Sequence, residues 1–355
     1  MGAADGAFVS VSSEREVSLE DGRALPVSRL RRELDAFFAA DPRIYWLDFL
    51  ASTGLFYLCF AAAAFMPWRQ PGKFLVLAVA TLALYRAVIF IHELAHQPRE
   101  RMPAFRMAWN LLCGIPLLVP SFVYSSHADH HFRSYGTACD GEYRRWGTGT
   151  RMGILVFPLF SFLAPPFFVM RFLFLTPLCW FSPRLRHWVD AKASSLVINL
   201  AYERDPPTAA ERGEWQWQEL AAFVYLLLVS TGLLSGIIPW SLVLQLYITI
   251  AGVLFINSFR LLTAHRYRSL GEPMSTAGQL LDSLNYDRPS VLIPLWAPVG
   301  LRYHALHHLF PGIPYHNLRA AHERIKNLLP SESPYAQAQG HGLIANLTML
   351  WRHAQ

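Results

Sequence analysis

The sequence predicts an all-α integral membrane protein with four transmembrane helices in two hairpins, on three observations. Of its 355 residues, 53% are hydrophobic and 14% aromatic while only 16% are charged, which is wrong for two soluble domains of that length. Four stretches, 49–66, 74–91, 220–238 and 242–259, are apolar for long enough to cross a bilayer at about 1.5 Å per residue. Three short boxes hold eight of the 14 histidines, at spacings that put the imidazoles of a box on one face of a helix.

Residues 1–44 are polar and mixed in charge, with Glu14, Glu16, Glu20 and Asp21 ahead of Arg29, Arg31 and Arg32. That order lacks a basic segment followed by an apolar core, so no cleaved signal peptide is expected. Ser28 to Ala39 reads as a short amphipathic helix resting on the membrane surface. The first span ends at Pro67-Trp68-Arg69, where Trp suits an interface, and a turn through Pro71 and Gly72 returns the chain. The second span runs straight into His92-Glu93-Leu94-Ala95-His96, so both histidines extend from its end. Arg86, one to two turns earlier, is costly at that depth unless it snorkels, pairs or faces the polar site beyond, and the last is the expectation.

Parity constrains the middle of the chain. A single crossing by residues 107–124 would put His127 on the opposite side from His92, so this segment, broken by Gly114, Pro116 and Pro120, is expected to lie in the interface or dip in and out. Residues 152–180, interrupted by Pro158, Pro165, Pro166 and Pro177, must likewise cross twice or not at all. Residues 181–219 are polar, with Arg184, Arg186, Lys192, Arg204 and Arg212 and a Pro206-Pro207 loop marker, and read as cytoplasmic. Pro239-Trp240-Ser241 joins the last two spans, whose far end meets Arg260 and then His265.

Nearly all Lys and Arg lie in the loops that hold the boxes and in the termini, while the opposite turns hold Arg69 and Lys73, which sets boxes and both termini in the cytoplasm. The net charge of +6 fits topology and anionic lipid, and no nucleic-acid partner is expected. Cys59, Cys113, Cys139 and Cys179 have no paired spacing and read as reduced, packed residues.

The chemistry lies in the boxes. His92 and His96 are an i, i+4 pair, whereas His127, His130 and His131 share the HxxHH spacing of His304, His307 and His308. Eight imidazoles exceed what one tetrahedral zinc uses, so two metal ions are the natural count. His265, delivered by the last span to the depth of His92, is a candidate ninth ligand. His316 reads as an outer donor, a turn residue or a ligand, and His187, His322, His341 and His353 as surface or interface histidines. HELAH also matches HExxH, in which two histidines bind zinc and a Glu acts as general base, with Asp140-Gly141 as a third-ligand turn of an intramembrane protease. That reading explains one box of three.

HELAH at 92–96, HADHH at 127–131 and HALHHLFPGIPYHNL at 304–318 resemble the membrane-bound fatty acid desaturase superfamily, which also contains hydroxylases and ketolases. The resemblance covers roughly residues 45–330. It implies four transmembrane helices and interfacial helices under a cytoplasmic helical cap, built from 92–219 and 265–330, that holds a di-iron centre. The ligands it implies are His92, His96, His127, His130, His131, His265, His304, His307 and His308. Residues 331–355 are then a cytoplasmic tail. Such desaturases place an Asn one turn before the extra histidine; here that position is Leu261, with Asn257 a weak substitute two turns earlier.

The resemblance implies an oxygen-dependent fatty acyl desaturase acting on a membrane lipid or acyl thioester. A lipid or carotenoid hydroxylase is the alternative on the same scaffold. Glu93, Asp129 and Asp140 are candidate acceptors that orient imidazoles. Without a GxGxxG, CxxC or HPGG segment, electrons must come from a separate donor: a ferredoxin, a rubredoxin or a b-type cytochrome with its reductase. The continuation LFPGIPYHNL and the HxxHH second box favour dehydrogenation over hydroxylation.

Overall fold

A computed structural model describes residues 17–18, 24–132, 134–146 and 151–354. The acidic run at Glu14, Glu16, Glu20 and Asp21 lies outside them. The described residues are mostly helical, with a two-residue ladder pairing Val17–Ser18 to Ala24–Leu25. Four helices are long and apolar enough to cross a membrane: Pro42–Ala64, Pro71–His96, Ala209–Leu234 and Trp240–Ala264.

The helix boundaries follow from capping rather than from hydropathy. The first long helix begins with Asp41 accepting from the Arg43 amide and Pro42 in its first turn, so Asp48 falls inside it rather than before it. The second continues past Ile91 through His96, which carries the first box on regular helix. The third starts at a capping box, where the Thr208 side chain takes the Glu211 amide and Glu211 reaches back to Thr208. Ahead of the first, the expected amphipathic stretch is an α-helix, Val27–Glu33, followed by a 3-10 turn, Asp35–Phe38.

Arg86 finds an acid instead of the polar site. Its Nε lies 2.7 Å from Asp48 Oδ1 and its Nη2 bonds the other oxygen, a two-pronged pair between the first two long helices. Tyr315 donates to the same carboxylate at 2.9 Å. The expectation that Arg86 faces the metal site is therefore corrected.

Residues 107–124 double back. Pro103–Trp109 is helical and Asn110–Gly114 winds as a π-helix, and Asn110 Nδ2 then bonds Ser121 Oγ at 2.9 Å while its Oδ1 accepts from the Ser121 amide at 2.8 Å. The proline-rich stretch from Arg151 to Leu178 is bent by 54° at a break between Phe162 and Ala164. Four spans result, or five if this bent pair is one crossing. Arg171, buried in the bent segment, is paired with Glu219 of the third long helix, and both side chains are 2% exposed. Losing one partner of such a pair costs about 3–5 kcal/mol, because the other charge stays buried alone.

Two sets of contacts bring the boxes to one place. The first hairpin is locked to the segment after the third box by edge-on rings, Tyr45 with Tyr315 at 5.1 Å and Phe90 with Tyr315 at 5.4 Å, each worth about 0.5–1.5 kcal/mol beyond buried area. At the end of the fourth long helix, the Leu284 amide donates to the Ala264 carbonyl at 3.0 Å and the Tyr286 amide to the Arg302 carbonyl at 2.7 Å. Asn285 Oδ1 then accepts from the Leu306 amide at 3.1 Å, inside the short helix His304–Leu309. Residues 284–286 thus tie His265 and the third box into one block. The fourth long helix meets the second closely at Gly252, where a Cβ would come 3.0 Å from Thr81 Cγ2.

Candidate metal centre

Each box arrives on a helix: the last turn of Pro71–His96, the short helix His127–Phe132 and the short helix His304–Leu309. All nine histidines singled out from the sequence meet in one cluster. Ligand atoms of His92, His96, His127, His131 and His307 lie within 4.8 Å of one another, and so do those of His130, His265 and His308. His304 belongs beside the second group, with its Nε2 3.0 Å from His265 Nε2 and 3.1 Å from His308 Nε2. Nitrogens bound at about 2.1 Å around one ion sit no more than about 4.2 Å apart, so groups spread over up to 4.8 Å need to draw in slightly to close around an ion.

The polar atoms inside this cluster need a partner that the protein does not provide. His92 is 4% exposed, and neither of its ring nitrogens has a hydrogen-bond partner. Elsewhere ring nitrogens face each other, His127 Nε2 to His131 Nε2 at 3.1 Å and His96 Nε2 to His307 Nε2 at 3.0 Å. Burial, followed by the neighbouring imidazoles, holds His131 and His307 well below the ordinary histidine value. Neutral rings keep their lone pairs available, and a buried donor set of this kind fits cations.

The other faces of the rings are held by acids and hydroxyls. His130 Nδ1 lies 2.8 Å from Asp140 Oδ2, and Asp140, fully buried, also accepts from the Gly136 and Glu142 amides at 3.0 Å. The Gly136 φ of 75° permits the turn that folds Asp140 back onto the box. Burial opposes a charge on His130, but the Asp140 carboxylate outweighs it and raises the ring above its ordinary value. His127 Nδ1 lies 2.6 Å from Glu142 Oε1, and burial pushes the Glu142 carboxyl up to about 7. His265 Nδ1 lies 2.9 Å from the Tyr135 hydroxyl, which with Tyr143 donates to Asp282.

Of the three expected orienting acids, Asp140 touches a box histidine, whereas Glu93 does not orient an imidazole. Its carboxylate takes the Tyr45 hydroxyl and, at 3.2 Å, the Tyr315 amide. Asp129 takes the Tyr202 hydroxyl at 3.5 Å. With Glu93 so engaged and Asp140 on His130, the general base and third ligand of the protease reading are both occupied elsewhere. Glu142, Tyr135 and Asp282 were not singled out from the sequence; an acid two residues after Asp140 was the available signal for the first.

The remaining histidines lie apart. His316 Nε2 accepts from the Asp41 amide at 3.2 Å and its Nδ1 is 3.0 Å from Asn317 Oδ1, a turn that joins the N-terminal segment to the third-box region. His322, expected near the surface, is fully buried against the Tyr335 hydroxyl at 2.7 Å. His187, His341 and His353 are exposed. Asn257 is not turned to the cluster: its Oδ1 accepts from Arg260 Nε at 2.9 Å.

Comparison with known proteins agrees with this geometry. The family model described as fatty acid desaturase matches residues 71–339, a stretch that includes all nine clustered histidines. The chain is also similar to a ceramide hydroxylase of Caulobacter vibrioides (strain NA1000 / CB15N), 37% identical over 314 residues, which is 88% of this chain and 89% of the relative. With four membrane-length helices below a gathered set of histidines, and a match across most of its length, the chain belongs to the fatty acid desaturase family.

Proposed function

We propose that the protein is an oxygen-dependent lipid hydroxylase that inserts a hydroxyl into a ceramide-type lipid, with His92, His96, His127, His131 and His307 around one iron and His130, His265, His304 and His308 around the other. The observation that carries the choice of reaction is the 37% identity to a ceramide hydroxylase over nearly the full length of both chains. Dehydrogenation, favoured by the LFPGIPYHNL continuation, begins with the same hydrogen abstraction, so the box residues do not separate the two outcomes. The relative tips the reading to hydroxylation.

Two non-haem irons held by these histidines would supply reductive activation of oxygen and removal of hydrogen from an unactivated carbon. The chain supplies the rest. Asp140 and Glu142 fix the tautomers of His130 and His127, and Tyr135 does the same for His265. Burial of the box rings excludes bulk water from the reacting carbon. One oxygen atom enters the C–H bond and the other leaves as water, which takes two electrons and two protons. The electrons come from a separate donor, a ferredoxin, a rubredoxin or a b-type cytochrome with its reductase.

The test is to feed a dihydroceramide deuterated along its chains to expressing cells under isotopically heavy oxygen. The expected product gains one heavy oxygen and loses one deuterium. Loss of two deuteriums from neighbouring carbons with no oxygen gained would return the reading to desaturation.

Boxes and termini face the cytoplasm in this proposal, supported by the distribution of Lys and Arg against the lone Arg69 and Lys73 of the opposite turn. A cysteine introduced beside Arg69 should react with an impermeant reagent added outside the cell, and one beside His131 should not. The reverse pattern would contradict this orientation.

A further inference from the structure

The fourth long helix carries a charge that no ligand role uses. Arg260 is 5% exposed and stands five residues, about 7.5 Å of helix rise, before His265, on the membrane side of the cluster. Its Nε donates to Asn257 Oδ1 at 2.9 Å, the Tyr85 hydroxyl oxygen is a second partner of the guanidinium, and among the described residues no carboxylate pairs with it. Asn257 is itself close to the Tyr85 hydroxyl at 3.5 Å, which donates to the Trp296 carbonyl at 2.9 Å, so the guanidinium is anchored at its Nε end.

The other deeply buried arginines differ. Arg171, 1% exposed, is bonded to the Ala193 carbonyl, Thr176, Ser194 and Glu219. Arg204, 8% exposed, is bonded to the Phe122 and Ser194 carbonyls and to Ser125. A guanidinium has five donors, and Asn257 and Tyr85 do not take all of them.

The neighbours of Arg260 are those of the metal centre. Its charge acts on Glu142, whose carboxylate is already held by His127 and the Tyr124 hydroxyl. It also adds to the burial that keeps His265 and His304 neutral. Part of the guanidinium's donor capacity is therefore left over beside the histidines, on the membrane side of the cluster.

We propose that Arg260 is a specificity-determining residue: its Nη groups donate to an oxygen at the polar junction of the substrate lipid, the amide carbonyl or a neighbouring hydroxyl, and so bring carbons a few bonds from that oxygen to the histidine cluster. This rests on the ceramide reading above and adds to it the residue that recognises the substrate. Carbon oxidised in the middle of a hydrocarbon chain needs only apolar walls, and such a chain would leave these donors unpaired. A site built to bond a substrate oxygen rejects analogues that lack it.

The test uses the full-length protein in nanodiscs, with and without iron, titrated with a dihydroceramide, with palmitate and with hexadecane. Arg260→Gln is expected to weaken dihydroceramide binding about tenfold, or about 1.4 kcal/mol, with hexadecane binding and iron content unchanged. Arg260→Lys, which keeps a charged donor, should recover part of the loss and serves if the Gln variant does not fold. Unchanged dihydroceramide affinity overturns the proposal, as does an equal loss for hexadecane, which marks a structural role. A loss confined to palmitate assigns Arg260 to a carboxylate and overturns it too. Should Arg260-dependent binding hold but the product carry a double bond, the reaction assignment fails and this one stands.

Discussion

Replacing His308 or His127 by alanine is expected to abolish formation of the proposed product while the protein still inserts in the membrane. His308 stands at the seam of the two ligand groups: its Nε2 is 3.1 Å from His304 Nε2, and its ring centre is 4.1 Å from that of His131. Its removal takes a nitrogen from one group and unpacks a ring of the other. His127 is clamped by Glu142 at Nδ1 and stacked on Tyr124 at 4.7 Å, so its loss frees two partners as well. The long helices are held elsewhere, by the edge-on rings around Tyr315, the Asp48 to Arg86 pair and the close approach at Gly252. Lipid analysis of expressing cells, alongside the amount of inserted protein, measures both halves. A scaffold or metal transporter would leave the lipids indifferent to these substitutions, so unaltered product in either variant contradicts the enzyme reading.

Asp140→Asn is expected to lower metal affinity by about 10–100-fold with the helices intact, the usual cost of removing an acceptor behind a histidine ligand. Asp140 uses both oxygens, holding His130 Nδ1 at 2.8 and 3.0 Å and the backbone amides of Gly136 and Glu142. An amide keeps one acceptor and turns the other into a donor, which in either orientation faces His130 Nδ1 together with one backbone N–H, that of Glu142 or that of Gly136. One oxygen can still hold the ring, but the turn loses the acceptor of either the Gly136 or the Glu142 amide. Iron titration against a competing chelator is the measurement, and wild-type affinity in this variant would show that Asp140 does not support the site.

The histidine cluster was legible because its members are local: HxxxH and HxxHH state their geometry within one helical turn. His265 followed from hairpin parity, and its placement 3.0 Å from His304 comes from residues 284–286, which tie the two segments together. What supports the ligands was less legible because it is non-local. Tyr135 reaches His265 across 130 residues, and Asp282 reaches Tyr135 across 147. The partner of Arg86 was hidden for another reason: hydropathy starts the first span after Asp48, whereas the cap at Asp41 starts the helix before it. Local patterning likewise finds HExxH at His92, but only the fold shows Glu93 committed to Tyr45 and Tyr315. The choice between a hydroxyl and a double bond was not in the boxes at all, since it depends on how a lipid lies against them.

Metal content per chain is the most direct measure of the central claim that nine histidines build one two-metal centre. Protein purified from iron-replete cells is predicted to hold two irons per chain, and a single tightly held zinc would contradict it.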